Sequence, residues 1–247
     1  MNGKEQNIKC LLIQIREDDE TLKEEFDEFV RFSGIPAENW KVINLFKTGR
    51  FSKEVLEGID ALWYGGSSHE DKLNKYHKEA VLDAGEVLRY ATDKKLPVFA
   101  SCYGFELAVE AFGGYLTVDT RNTRELNVNI KLTPEGERDV LFEGFSKEFE
   151  GISWHKYRAD EKRLPEGMSV LAFAETCPVE IFKMENSKTY GFQFHPELDA
   201  PDVKARLTRY IDIYQEQKNA LQQILDALHD APKANELLRL FVERVVQ

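Results

Sequence analysis

A cysteine at the junction of a predicted strand and a predicted helix is the first residue whose position suggests chemistry. Segment 96–107 has the pattern of a short apolar strand that reaches Cys102 and turns directly into a helix with an apolar face. Such a turn places the thiol at a helix N-terminus, where free N–H groups and the helix dipole favour the thiolate. Gly104 leaves room for the tight turn. On this segment alone, a small buried and inert cysteine is an equal alternative.

A histidine and a glutamate follow the last predicted strand. Residues i and i+2 of an extended segment point the same way, so His195 and Glu197 should project together, with Pro196 fixing the backbone between them. A carboxylate beside an imidazole selects its tautomer and stabilises its charged form. An imidazole that faces a thiol draws the proton from sulfur. A lone histidine is more often structural, but this pattern is typical of nucleophilic catalysis.

The elements that must position these residues alternate between strand and helix. Apolar strands are predicted at 8–15, 42–46, 58–64 and 98–100, with amphipathic helices between them. This alternation predicts a parallel, doubly wound α/β sheet, in which active sites lie at the carboxyl ends of the strands. Gly65 and Gly66 follow one such strand and Cys102 another, so we expect all three at the same sheet edge.

The rest of the chain changes pattern twice. Short alternating runs predict an antiparallel extension packed onto the same sheet, and they span 114–118, 126–132, 151–154, 169–174, 179–184 and 189–194. From residue 201 onward the apolar spacing predicts amphipathic helices. We therefore predict one domain over 1–200 and a helical extension over 201–247. We expect that extension to pack on its own domain, with an oligomer or partner contact as the alternative.

Composition limits the classes of function. The 247 residues carry 33 basic and 44 acidic side chains, a net charge of −11, which disfavours nucleic acid or an anionic membrane as partner. The N-terminal residues lack the apolar stretch of a signal peptide, and no apolar run has the length of a membrane span. Three widely spaced cysteines indicate neither a disulfide framework nor a metal pair. We expect a cytoplasmic protein without a metal or cofactor.

Taken together, the motifs resemble those of class I, triad-type glutamine amidotransferases. The resemblance covers about residues 8 to 200 and is carried by Gly65-Gly66, by Cys102-Tyr103-Gly104 and by the segment 192–197. Smaller similarities are Arg124-Glu125 followed by 128–133, Trp154-His155, and the segment 177–180.

The resemblance implies a flavodoxin-like fold and a set of roles. Cys102 would be the nucleophile, His195 the base and acid, and Glu197 the residue that orients it. The family attacks the side-chain amide of glutamine, forms a γ-glutamyl thioester and releases ammonia. The backbone N–H groups of Tyr103 and Gly66 would form the oxyanion hole, with Gly65 in the same turn.

Two departures concern the substrate rather than the triad. The family's elbow usually reads Gly-x-Cys-x-Gly-x-Gln, but Ser101 directly precedes the cysteine here and Glu106 occupies the glutamine position. Asn127 stands where the family often has glycine. An anionic Glu106 would alter which γ-glutamyl compound fits. We assign His155 to fold support or an interface, and His69, His77 and His229 to the surface.

Three functions follow as hypotheses. The first is glutamine hydrolysis with ammonia passed to a separate synthetase, because the chain has no phosphate-binding loop of its own. The second is hydrolysis of γ-glutamyl peptides, which Glu106 would suit. The third, which the complete Cys-His-Glu set disfavours, is a catalytically silent binding or regulatory domain. A small-molecule substrate is expected throughout, with a synthetase partner or a homo-oligomer possible.

Overall fold

A computed structural model describes residues 7–67, 77–119, 126–210 and 218–247. The strands are β1 (Cys10–Ile15), β2 (Trp40–Asn44), β3 (Ala61–Ser67), β4 (Val98–Ser101), β5 (Leu116–Val118), β6 (Asn127–Leu132), β7 (Glu148–Ile152), β8 (Tyr157–Ala159), β9 (Met168–Ala174), β10 (Ile181–Met184) and β11 (Thr189–Phe192). The helices are α1 (Asp19–Ser33), α2 (Lys78–Asp93), α3 (Tyr103–Ala111), α4 (Pro134–Arg138), α5 (Ala200–Tyr210), α6 (Lys218–Ala227) and α7 (Pro232–Phe241). Within these ranges, no helix combines the length and the apolar character that crossing a bilayer requires.

Nine strands form one sheet, in the order β2-β1-β3-β4-β11-β10-β9-β6-β7. The pairs from β2 through β11 are parallel, and the pairs from β11 through β7 are antiparallel. Helices cover both faces, and the mixed α/β class that the sequence predicts is confirmed.

Two details of the predicted extension are wrong. The last strand, β11, runs parallel to β4 and is antiparallel only to β10, so it completes the parallel half of the sheet. The run at 114–118 supplies β5, which pairs with β8 in a separate two-stranded ribbon. Periodicity shows which face of a strand is apolar, but it contains no information on the strand's partner or direction.

Aromatic side chains fill the centre of one sheet face. The rings of Trp63 on β3, Phe99 on β4 and Phe192 on β11 lie side by side, with centroids 4.9 Å and 4.3 Å apart. Phe29 of α1 contacts the first two rings from above. Phe241 of α7 does the same, at 5.2 Å from Trp63 and 5.3 Å from Phe99. This cluster fixes the three strands whose carboxyl ends carry the candidate site.

The C-terminal helices share that core. Leu237, Leu238 and Phe241 are buried together with residues of β3, β4 and β11. The π-helical turn Val242–Val246 continues the chain, and Lys188 donates to the Val245 carbonyl at 2.7 Å. The division of the chain at residue 200 stays a prediction.

Replacing Phe241 by alanine should destabilise the protein by about 3–5 kcal/mol, because the change opens a cavity in a fully buried aromatic cluster. Urea unfolding measures the difference. Phe173→Ala is the matched control, since that ring is 38% exposed and should lose less. Equal losses in the two variants would show that α7 contributes little to the core.

Candidate active site

Cys102 occupies a strained turn between β4 and α3. Its backbone has φ 49° and ψ −100°, a conformation that non-glycine residues rarely adopt and that clusters at functional sites. The Cys102 N–H donates to the Phe192 carbonyl of β11 at 2.7 Å, and its carbonyl accepts from the Glu106 N–H. A side chain at Gly104 would lie 2.5 Å from Tyr64 Cβ, so the turn packs tightly against β3. The predicted strand–turn–helix is therefore present.

His195 and Glu197 form a hydrogen-bonded pair beside this turn. His195 Nδ1 lies 2.7 Å from Glu197 Oε1, and the carboxylate is fully buried. Ser101 donates its hydroxyl to the other oxygen, Oε2, at 2.6 Å. Burial raises the pKa of Glu197, but the charge of His195 and the two hydrogen bonds outweigh it and hold the pKa below its ordinary value. The sequence indicated Ser101 only as a departure from the family pattern, and its bond to Glu197 was missed.

The glycine turn at the end of β3 lies close to both Cys102 and His195. A Cβ atom added to Gly66 would lie 2.8 Å from His195 Cε1, 3.0 Å from Arg16 Nη2 and 3.5 Å from Cys102 Cβ. One point in space is thus within 3.5 Å of the imidazole, the guanidinium and the Cys102 side chain. The structure brings Cys102, His195 and Gly66 together, as the sequence predicts. Glycine at 66 is required by this close approach.

The Gly66 N–H has a protein partner in this arrangement. It donates to Glu25 Oε1 at 3.1 Å, so it points toward α1 rather than toward the thiol. This differs from the predicted oxyanion hole, for which the Gly66 peptide would have to turn. Tyr103 is the first residue of α3, the position expected for the second donor. The oxyanion roles of Gly65, Gly66 and Tyr103 stay predictions.

A buried ion pair behind the turn was missed from the sequence. Arg16 donates through Nε to Glu25 Oε1 at 2.9 Å, and its Nη2 lies 2.8 Å from the same oxygen. Gln14 Nε2 donates to Glu25 Oε2 at 3.2 Å. Arginine directly after the apolar strand β1, at the active edge of the sheet, is the signal that could have indicated it.

A cavity of about 510 Å³ lies along α3, and Tyr103, the residue after Cys102, is part of its lining. Glu106 and Glu110 line it from the helix, and Tyr115, directly before β5, and Tyr157 of β8 line it from the other side. Glu106 is buried, and burial raises the pKa of Glu110. The cavity has the size of a small-molecule site and carries the one elbow residue that departs from the family pattern in charge.

The other histidines differ in exposure. His155 is buried beside Asp119, which agrees with a role in the fold. His229 is exposed as expected, whereas His77 is half-buried against Phe46. His69 and the pair Arg124-Glu125 lie outside the described residues. Asn127 binds the main chain of His229 through both its amide atoms, which ties β6 to the end of α6.

Three buried groups near His155 could ligate a metal ion. The ligand atoms of His155, Cys177 and Glu180 lie within 4.8 Å of one another. Burial lowers the pKa of His155 to about 4, raises that of Glu180 to about 8, and raises that of Cys177 well above its usual value. At neutral pH all three groups are therefore mainly uncharged, and a metal would have to displace two protons. The predicted absence of a metal stays a prediction.

Comparisons with known proteins agree with this geometry. The family model described as glutamine amidotransferase class-I matches residues 73–209, more than half of the chain. A glutamine-hydrolyzing GMP synthase subunit of Methanococcus vannielii is 37% identical over 136 residues, which are 52% of this chain and 69% of that protein. The corresponding subunit of Archaeoglobus fulgidus is 28% identical over 145 residues, 59% of this chain and 70% of that protein.

A solved structure supports the fold. The glutamine amidotransferase of Thermotoga maritima superposes with a TM-score of 0.72, covering 98% of this chain and 99% of its own. Its sequence identity is 19%, so this similarity concerns the fold alone.

The buried Glu180 predicts a pH-dependent effect on stability. Because its pKa is raised to about 8, the folded chain keeps a proton that the unfolded chain releases above about pH 4. Stability from this group therefore falls as the pH rises from about 4 to 8. Glu180→Gln replaces the titrating carboxyl group by a neutral amide. The free energy of unfolding of the variant, relative to that of wild type, should therefore increase by at least about 1 kcal/mol between pH 5 and pH 8.5.

Urea unfolding at the two pH values measures this gain. Glu148→Gln is the control, because the Glu148 side chain is 58% exposed. A wild-type-to-variant difference that does not change with pH would contradict a neutral buried Glu180.

Proposed function

The chain belongs to the class I glutamine amidotransferase family, and from this premise we propose that it hydrolyses the side-chain amide of glutamine through Cys102. The observation that carries the proposal is the meeting of three parts at one sheet edge. They are a cysteine in a strained turn at a helix start, a His195–Glu197 pair joined at 2.7 Å, and the glycine turn at 66.

In the proposed reaction, His195 takes the proton of the Cys102 thiol and the sulfur attacks the amide carbon. The negative charge that forms on the amide oxygen is stabilised by backbone N–H groups, Tyr103 at the start of α3 and Gly66 after its peptide turns. The tetrahedral intermediate collapses as His195 returns the proton to nitrogen, and ammonia leaves. The γ-glutamyl thioester is then hydrolysed by water that His195 deprotonates, which yields glutamate and the free thiol.

Glu197 would support both steps by holding the imidazole. A carboxylate at Nδ1 fixes the tautomer in which the other ring nitrogen, Nε2, carries no proton and can accept that of the thiol, and it stabilises the imidazolium. The Ser101 hydroxyl occupies the second carboxylate oxygen and keeps Glu197 from rotating away. For the backbone donors of the oxyanion hole, the loss of one such hydrogen bond typically lowers the rate by about 10²–10³-fold.

The protein that would use the released ammonia is the expected partner of this chain. The relatives reported above are named as subunits of a glutamine-hydrolyzing GMP synthase. We therefore propose that this chain delivers ammonia to a separate synthetase, whose own substrate is the acceptor. A homo-oligomer is the alternative assembly.

Glu106 favours a second candidate, hydrolysis of γ-glutamyl peptides. This carboxylate is buried and lines the cavity beside Tyr103, where the family usually has a neutral amide. A charged group at that position would suit a leaving group other than ammonia. A catalytically silent domain is the third candidate, and the intact Cys-His-Glu set disfavours it.

Ammonia release from glutamine, measured beside amine release from γ-glutamyl dipeptides, tests these candidates. We expect wild type to hydrolyse glutamine and Cys102→Ala to lose at least about 10³-fold in kcat, as for the loss of a nucleophile. Cys10→Ala is the matched control, since Cys10 is equally buried but lies in β1. Dipeptide turnover without glutamine turnover would favour the peptidase. Turnover of neither substrate, with no thioester at Cys102, would refute both enzyme hypotheses.

Glu106→Gln should increase kcat/KM for glutamine, because it restores the neutral amide that the family carries at this position. Glu110→Gln, one helical turn further along the same cavity, is the matched control and should change kcat/KM less. An unchanged or lower kcat/KM in Glu106→Gln would show that this position does not determine substrate choice.

A further inference from the structure

The proposed reaction leaves one strong charge at the site unused, the guanidinium of Arg16. Arg16 follows β1 directly and is 3% exposed. Its Nη2 lies 3.0 Å from the point that a Cβ atom added to Gly66 would occupy. The same point lies 3.5 Å from Cys102 Cβ and 2.8 Å from His195 Cε1. A buried cation therefore lies next to the glycine turn, close to both His195 and Cys102.

Arg16 is fixed there from two sides. Its side chain binds the fully buried Glu25 carboxylate of α1, with Nε and Nη2 at 2.9 Å and 2.8 Å from Oε1. Its main-chain carbonyl accepts from Asn44 Nδ2 at 2.8 Å. The same Glu25 oxygen accepts from the Gly66 N–H at 3.1 Å. Arginine, carboxylate and glycine turn are thus one hydrogen-bonded unit.

The arrangement gives Arg16 an electrostatic effect on sulfur. Nη2 lies 2.8 Å from Glu25 Oε1, and the point at residue 66 that is 3.0 Å from Nη2 is 3.5 Å from Cys102 Cβ, so the guanidinium is close enough to the thiol for its charge to act there. Burial lowers the pKa of Arg16, but Glu25, and then Glu28 and Cys102, outweigh burial and raise it. The Arg16 guanidinium therefore stays charged at neutral pH.

We infer that Arg16 is a positioning residue of this site, which holds the glycine turn through Glu25 and stabilises negative charge on the Cys102 sulfur. This rests on the proposed function only for the identity of the nucleophile. A low effective dielectric strengthens the interaction, because a cation within a few ångströms of a buried anion is poorly screened. Nearby lysine, arginine or imidazolium groups are a general means of activating cysteine thiols.

Alkylation of Cys102 by iodoacetamide tests the inference without any turnover. The rate is measured against pH by mass spectrometry of the Cys102 peptide, and its midpoint reports thiolate formation. Glu25→Gln keeps Arg16 and an acceptor for Gly66 but removes the negative charge, so the midpoint should fall. The double variant Arg16→Gln/Glu25→Gln differs from it only at Arg16, and its midpoint should be higher by on the order of one pH unit.

Two further variants separate charge from fold. Arg16→Lys keeps the charge and should stay within a few tenths of a pH unit of wild type. Arg50→Gln/Asp83→Asn replaces another arginine–carboxylate pair, with Nε–Oδ2 at 2.7 Å, that lies outside the site, and should leave the midpoint unchanged. If the double variant at Arg16 and Glu25 does not fold, Arg16→Met/Glu25→Gln, which keeps most of the length of the side chain without its charge, replaces it in the comparison with Glu25→Gln.

Equal midpoints in Glu25→Gln and the double variant would overturn the role of Arg16, whatever the midpoint of wild type is. That result is distinct from failure of the proposed function. The latter would appear as glutamine turnover that survives complete alkylation of Cys102, whatever the midpoints are.

Discussion

The pairing of β4 with β11 is the constraint on which the candidate site depends. Its parallel register places Phe192 opposite Ser101, and the Phe192 carbonyl then accepts the N–H of Cys102 at 2.7 Å. Because both strands end at the same edge, the residue after β4 and the His195–Glu197 segment after β11 come together without a long loop. The aromatic cluster of Phe99, Phe192 and Phe241 stabilises this pairing from one face of the sheet.

Charge at the site is compensated by pairs rather than by solvent. Glu197 is fully buried, and His195 and the Ser101 hydroxyl satisfy its two oxygens. The Arg16–Glu25 pair is equally buried and lies behind the glycine turn. Breaking such a pair by removing one partner leaves an uncompensated charge, which is why the double variant that neutralises both partners is informative. The same pairs hold the turn and the imidazole in one geometry before substrate binds.

The sequence predicted those parts of the site that depend on local structure. A strand that ends in Cys102 and begins a helix is recognisable from about ten residues, and His195 and Glu197 share a face because they are two residues apart. The Arg16–Glu25 pair, the Ser101–Glu197 bond and the direction of β11 depend on tertiary contacts between distant segments, which no local pattern encodes. The pairing of β5 with β8 is also a contact between distant segments. In addition, each of these strands has only three residues, too few for a clear alternating pattern. The orientation of the Gly66 N–H toward Glu25 is set by the same kind of long-range contact.

The central claim is that Cys102 is the nucleophile of an amide hydrolysis. Its most direct test is rapid acid quenching of wild-type protein during turnover of glutamine, followed by mass spectrometry of the proteolytic peptides. We expect a γ-glutamyl adduct, the mass of glutamine less ammonia, on the peptide that contains Cys102, and its loss on treatment with hydroxylamine. Turnover accompanied by an adduct on any other residue would contradict this claim.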